Sequence, residues 1–169
     1  MKTETGLEWR TRVFSTDLSQ VISERGLLKL ALDSVQNIEP ARLTPPGSVK
    51  GEFRPQMMLT LLTYCYASSL FGSRDIESSV ETDPTICYIC ARTRPTWLAI
   101  RRFRRQYRQA VLDCLTYVMK QVWALKFDEG EADYVGYDWF ETDVVARIDS
   151  AAKQRLDVAA LMDGAENEY

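Results

Sequence analysis

The chain contains no histidine, and that one absence removes whole classes of chemistry. Without imidazole there is no Ser-His-Asp or Cys-His nucleophile, no histidine-ligated zinc or iron, and no side chain whose ordinary titration falls near neutrality. A glycine-rich phosphate loop is also missing, because the eight glycines are scattered singly. The longest apolar run, Met57 to Phe71, is interrupted by Thr60, Thr63, Ser68 and Ser69. It is too short for the roughly 20 residues that span a bilayer, so no membrane partner is expected. Residues Met1 to Arg12 are polar and carry both signs of charge, which predicts no secretory segment. Four cysteines in 169 residues make no disulfide framework. A cytoplasmic protein is expected.

What is present suffices for a core. Hydrophobic residues make up 46% of the chain and charged residues 27%, the ordinary range for a globular domain. No period-2 strand pattern appears, so the expected fold is all-α, a compact helical bundle. Phe14 to Val35 has helical spacing, with Leu18, Val21, Ile22, Leu28, Leu32 and Val35 on one face and Ser15 or Thr16 as the N-cap. Glu39-Pro40 ends that unit, and Pro45-Pro46-Gly47-Ser48 reads as a loop. A second helix starts at Pro55 and is apolar around most of its circumference, as a central helix must be. Gly72 fits the position that ends it. Ser73 then caps a short helix directed by Ile76 and Val80, and Asp83-Pro84 opens another.

Arg94-Pro95-Thr96 is a turn and cap before the longest predicted helix, Thr96 to about Lys126. Its apolar positions are Ile100, Phe103, Tyr107, Val111, Cys114, Val118, Val122 and Leu125, spaced close to the roughly 3.6 residues of a helical turn. Beyond Phe127 the composition changes: residues 128–169 hold 12 Asp+Glu against three Lys+Arg. The expected organisation is therefore a helical domain over 1–127 and an acidic C-terminal extension over 128–169 that carries a docking helix. In that extension Tyr134, Tyr137, Trp139 and Phe140 crowd around Gly136, which suggests an aromatic loop. Thr142 is expected to cap a last helix faced by Val145, Ile148, Ala152, Leu156 and Ala159, and the tail from Asp163 is expected to fray.

The net charge of −3 hides a division. Between Asp83 and Asp113 there is no acidic residue and no lysine, but seven arginines: Arg92, Arg94, Arg101, Arg102, Arg104, Arg105 and Arg108. At about 100° per residue, Arg101, Arg104, Arg105 and Arg108 fall together beside the apolar stripe, with Arg102 further round. Guanidinium suits bidentate contact with phosphate and guanine, and a helix N-terminus adds free amides. A short helix, a turn and a helix with a basic N-terminal half is the plan of helix-turn-helix DNA readers. The competing explanation is a solvated helix face paired with Glu77, Glu81 and the acidic extension. The lack of local acids weighs against it, since a solvated helix mixes signs at i, i+4.

Several segments together resemble the N-terminal domain of bacterial insertion-sequence transposases of the InsH-like group. They are Phe53-Arg54-Pro55-Gln56-Met57-Met58-Leu59, Tyr64 to Ala67, Gly72-Ser73-Arg74-Asp75-Ile76-Glu77, Arg94-Pro95-Thr96 and Ile100-Arg101-Arg102-Phe103-Arg104-Arg105. The likeness covers roughly residues 14–127. It implies an all-α, DNA-associated domain, in that family followed by an RNase H-like domain with three metal-binding acids. This chain departs there: Tyr137-Asp138-Trp139 is not the family's Asp-Gly-Thr, and about 40 residues are too few for such a domain. No residue inherits a catalytic role. A free-standing relative, truncated or repurposed and nucleoid-associated, is expected.

The expected function is thus non-catalytic binding of duplex DNA, with no cofactor, no small-molecule substrate and no enzyme activity. Arg92, Arg94, Arg101, Arg102, Arg104, Arg105 and Arg108 are the expected DNA contacts, and Thr96 caps the recognition helix. The alternative is an interaction module that forms a homodimer or holds a transposase partner chain. Cys87 and Cys90 form a CxxC, and a zinc site would need Cys65 and Cys114 as well. Those two lie at apolar helical positions, so buried packing is the expectation. Of the acid pairs Asp75/Glu77 and Glu141/Asp143, a helix first turn is the expected explanation for Asp75 and Asp143.

Overall fold

The computed structural model describes residues 14, 16–44, 53–126 and 137–166. Among them there is no strand, and the expected all-α bundle is what forms. Helices α1 (Glu24–Gln36), α2 (Pro55–Ala67), α3 (Ser73–Thr82), α4 (Pro84–Cys90), α5 (Trp97–Gln106), α6 (Arg108–Lys126) and α7 (Tyr137–Glu166) follow in order, with 3-10 turns at Leu18–Gln20 and Pro40–Leu43.

Helix α2 is the centre of the bundle. Every residue from Met58 to Ala67 is buried, and α2 packs against α1, α4, α5, α6 and α7. Thr60 and Thr63 survive there because their hydroxyls donate to the carbonyls of Gln56 and Leu59 at 2.8 and 2.7 Å, which leaves neither hydroxyl unpaired. Helix α6 lies between α1, α2 and α7 and contributes Val111, Leu115, Val118 and Val122, all fully buried.

Local chemistry sets several boundaries. Ser23 accepts from Gly26 N to start α1, Pro55 starts α2 at its first position, and Asp83 accepts from Thr85 N and Ile86 N before Pro84. The first predicted helix is therefore shorter than its spacing suggested. Asp17 caps a 3-10 turn, the chain then re-enters at Ser23, and Leu27, Ala31, Ser34 and Val35 face inward while Leu32 is 40% exposed. The apolar register cannot be carried through the Val21–Ser23 break.

The corner between α2 and α3 differs from expectation in an instructive way. Helix α2 ends at Ser68, with Ser69 left-handed at φ 62°; Gly72 is instead the N-cap of α3 and, having no side chain, caps nothing. Both helix ends are satisfied by α7. Arg155 donates to the carbonyls of Tyr66 and Ala67 at 2.7 and 3.2 Å, and also to those of Phe14 and Thr16. Asp163 accepts from Ser73 N at 3.0 Å and from Ser73 Oγ at 2.8 Å. A cation thus sits at the negative end of α2 and an anion at the positive end of α3. Eight residues of helix rise about 12 Å, so α7 straddles the corner and clamps both sides of it. Asp163 is 1% exposed and α7 continues to Glu166, so the tail does not fray at Asp163.

The predicted long helix is two helices. At Tyr107 the backbone leaves the helical region (φ −115°, ψ 32°), separating α5 from α6. Tyr107 packs on Phe103 with ring centroids 4.7 Å apart, and its hydroxyl donates to Leu43 O at 3.4 Å. The turn redirects the chain without adding or removing a residue, so the apolar spacing runs through it undisturbed. Residues 137–140 and Thr142 lie inside α7, which contradicts both the aromatic loop there and the Thr142 cap. The Pro45–Ser48 loop, Tyr134 and Gly136 lie outside the described residues.

Candidate nucleic-acid interface

Thr96 caps α5 as expected, its Oγ1 accepting from Ala99 N at 3.2 Å. From that start the register sorts the arginines. Ile100, Phe103 and Arg104 point into the core. Leu98, Arg101, Arg102, Arg105 and Gln106 share the outward face at spacings of three and four, and together line a shallow surface depression. Leu98 is 52% exposed in the middle of these charges. Helix α3 braces α5 from behind and adds a further cation, since the Arg74 guanidinium lies over the Trp97 ring at 4.5 Å from its centroid.

The expected ridge of five arginines is therefore corrected at Arg104, which is 3% exposed and pairs with Asp163. Burial works against its charge, but Tyr66 and Asp163 outweigh that and hold its pKa above the ordinary value. The Tyr66 hydroxyl borders this cluster without a well-formed hydrogen bond, and burial pushes its pKa up. Arg104 is a structural ion, not a surface contact.

Two more arginines are engaged at the surface. Arg94 pairs with Glu81 of α3, and Arg108 pairs with Asp157 of α7 at 2.7 Å. The competing explanation from sequence, pairing with Glu81 and the acidic extension, thus accounts for three of the seven window arginines. Arg92, Arg101, Arg102 and Arg105 form no ion pair among the described residues, and the last two are exposed. Arg101 is half-buried and its Nε has no hydrogen-bond partner among the described residues. Arg92 is exposed and left-handed at φ 71°, next to Ala91 at φ 48°. Two successive non-glycine residues in that region are strained. The six-residue connection from Ala91 to Thr96 is longer than the three or four residues of an ordinary helix-turn-helix.

Cys65, Cys90 and Cys114 are buried, Cys87 is exposed, and all four are free. Burial pushes the Cys90 thiol up to about 11 and raises Cys65 and Cys114 too, so these groups stay protonated at neutral pH. Among the described residues no group of three or more Cys, Asp or Glu is placed to hold a metal ion. No described helix is long and apolar enough to cross a membrane. Arg155 and Asp163 were not singled out by sequence reasoning as interior groups, and only their place on the inward side of a long Ala-rich helix signals it. Arg74 lay outside the acid-free window, so counting charge there missed it. No family model, no curated protein and no solved structure matches this chain.

Proposed function

We propose that this protein is a non-catalytic DNA-binding domain, akin to the N-terminal domain of insertion-sequence transposases, that holds duplex DNA through the outward face of α5. Arg101, Arg102 and Arg105 contact backbone phosphates, and Arg92 adds a contact from the preceding connection. The observation that carries this reading is that Arg92, Arg101, Arg102 and Arg105 have no acid partner among the described residues, in a stretch without a single Asp or Glu. A face that only kept the helix soluble would be laced with carboxylates. Exposed Leu98 beside Arg101 and Arg102 fits a groove contact such as a thymine methyl.

The test is an electrophoretic shift series with a random-sequence duplex, comparing the wild type with Arg101→Gln/Arg102→Gln/Arg105→Gln. The triple variant is expected to bind far more weakly while its unfolding temperature stays within about 6 °C, because three such substitutions cost at most about 0.5 kcal/mol each and each kcal/mol lowers the melting temperature by roughly 2–4 °C. Equal binding by the two proteins would remove the proposal.

A further inference from the structure

The two exposed ion pairs stand at opposite ends of the arginine face. Arg94 precedes α5 by three residues and is held by Glu81; Arg108 follows α5 by two and is held by Asp157. All four side chains are well exposed: 74% and 58% in the first pair, 42% and 54% in the second. Such pairs are weak and open readily, unlike Arg104–Asp163, whose partners are only 3% and 2% exposed. Each acid comes from a different element, α3 or α7, so neither is a by-product of the local sequence of α5.

We propose that Glu81 and Asp157 are resident competitors for DNA phosphate. Duplex DNA displaces both carboxylates, and the contact grows from four arginines to six as Arg94 and Arg108 turn from carboxylate to phosphate. This rests on the DNA-binding reading of the same face. The duplex can supply the partners: α5 is about 15 Å long, and 15 Å of duplex axis carries about nine phosphate charges. The exchange has a definite signature. When an arginine moves from a carboxylate to a phosphate, the cation released from the phosphate is offset by one taken up at the freed carboxylate, so only the unpaired arginines contribute to the salt dependence of binding.

The experiment measures affinity for a random-sequence duplex across a salt series, using wild type, Glu81→Gln/Asp157→Asn and a charge-matched control, Asp33→Asn/Glu39→Gln, whose acids make no ion pair among the described residues. Glu81→Gln/Asp157→Asn is expected to bind about tenfold more tightly than the control, since each exposed pair opposes binding by at most about fivefold. Its slope of log affinity against log salt steepens from about −3.6 to about −5.4. A wild type that binds, with Glu81→Gln/Asp157→Asn matching the control in affinity and slope, overturns this inference alone. Absence of binding by every protein overturns the parent reading with it.

Discussion

Replacing Asp163 by alanine removes a carboxylate that serves three donors at once: Ser73 N, Ser73 Oγ and the Arg104 guanidinium. Arg104 would then stand in the core as a cation without a counter-ion, and the first turn of α3 would lose the cap that Asp163 supplies. Breaking one side of a buried ion pair costs about 3–5 kcal/mol. For a chain of this size each kcal/mol lowers the melting temperature by roughly 2–4 °C, so the expected fall is about 6–20 °C. Asp157→Ala is the internal comparison. It lies six residues earlier on the same helix, but its pair with Arg108 is exposed, and the cost there is about 0–1 kcal/mol. A third variant, Arg104→Met/Asp163→Leu, removes both charges and should recover much of the loss. The unpaired Ser73 amide keeps it about 1–3 kcal/mol below wild type. Urea unfolding followed by far-ultraviolet circular dichroism measures all three. If Asp163→Ala lies within 1 kcal/mol of Asp157→Ala, the end of α7 is not docked and the reasoning fails.

Arg155→Met should destabilise strongly, by about 2–4 kcal/mol, because it strips four backbone carbonyls of their donor; equilibrium unfolding checks this. Burial lowers the Arg155 pKa to about 10, so it remains the charged donor at neutral pH. Alkaline stability follows from the buried thiols. Their folded pKa values are raised, so the stability they hold is complete below the unfolded value near 9 and is lost as pH rises through the folded value, about 11 for Cys90. Melting curves from pH 8 to 11 should therefore fall less steeply for Cys90→Ala than for wild type, and parallel curves would contradict it. Ala91→Gly should raise stability by up to about 1 kcal/mol, since glycine adopts the left-handed φ of 48° without penalty. A melting temperature at or below wild type would show that the strain is relieved elsewhere.

How much was legible in the sequence depends on the range of the interaction. The starts at Pro55, Asp83-Pro84 and Thr96 are local, and each was readable because the cap and the amides it serves lie within a few residues. The largely apolar α2 announced its central place through its own composition. The clamp by α7 was not readable. Arg155 and Asp163 look like surface ions on a polar helix until partners about 90 residues away turn them inward. The same contact explains why Arg104 left the predicted ridge: angular position alone put it beside Arg101 and Arg105, and a carboxylate 59 residues away drew it into the core. The bend at Tyr107 preserved the apolar spacing on both sides and so left no mark in the pattern. The arginine face was legible in composition, because an acid-free run of 29 residues needs no geometry to be seen. Its membership, with four of the seven arginines unpaired among the described residues, was a matter of tertiary structure.

The most direct test of the central claim is the salt dependence of duplex binding by the wild-type protein, followed by fluorescence anisotropy on a labelled random-sequence duplex between about 50 and 200 mM salt. Four unpaired arginines on phosphates predict a slope of log affinity against log salt of about −3.6, reduced to about −0.9 when Arg101, Arg102 and Arg105 are all glutamine. A protein that does not bind at the lowest salt, or that binds with a slope near zero, contradicts the assignment of this face to DNA.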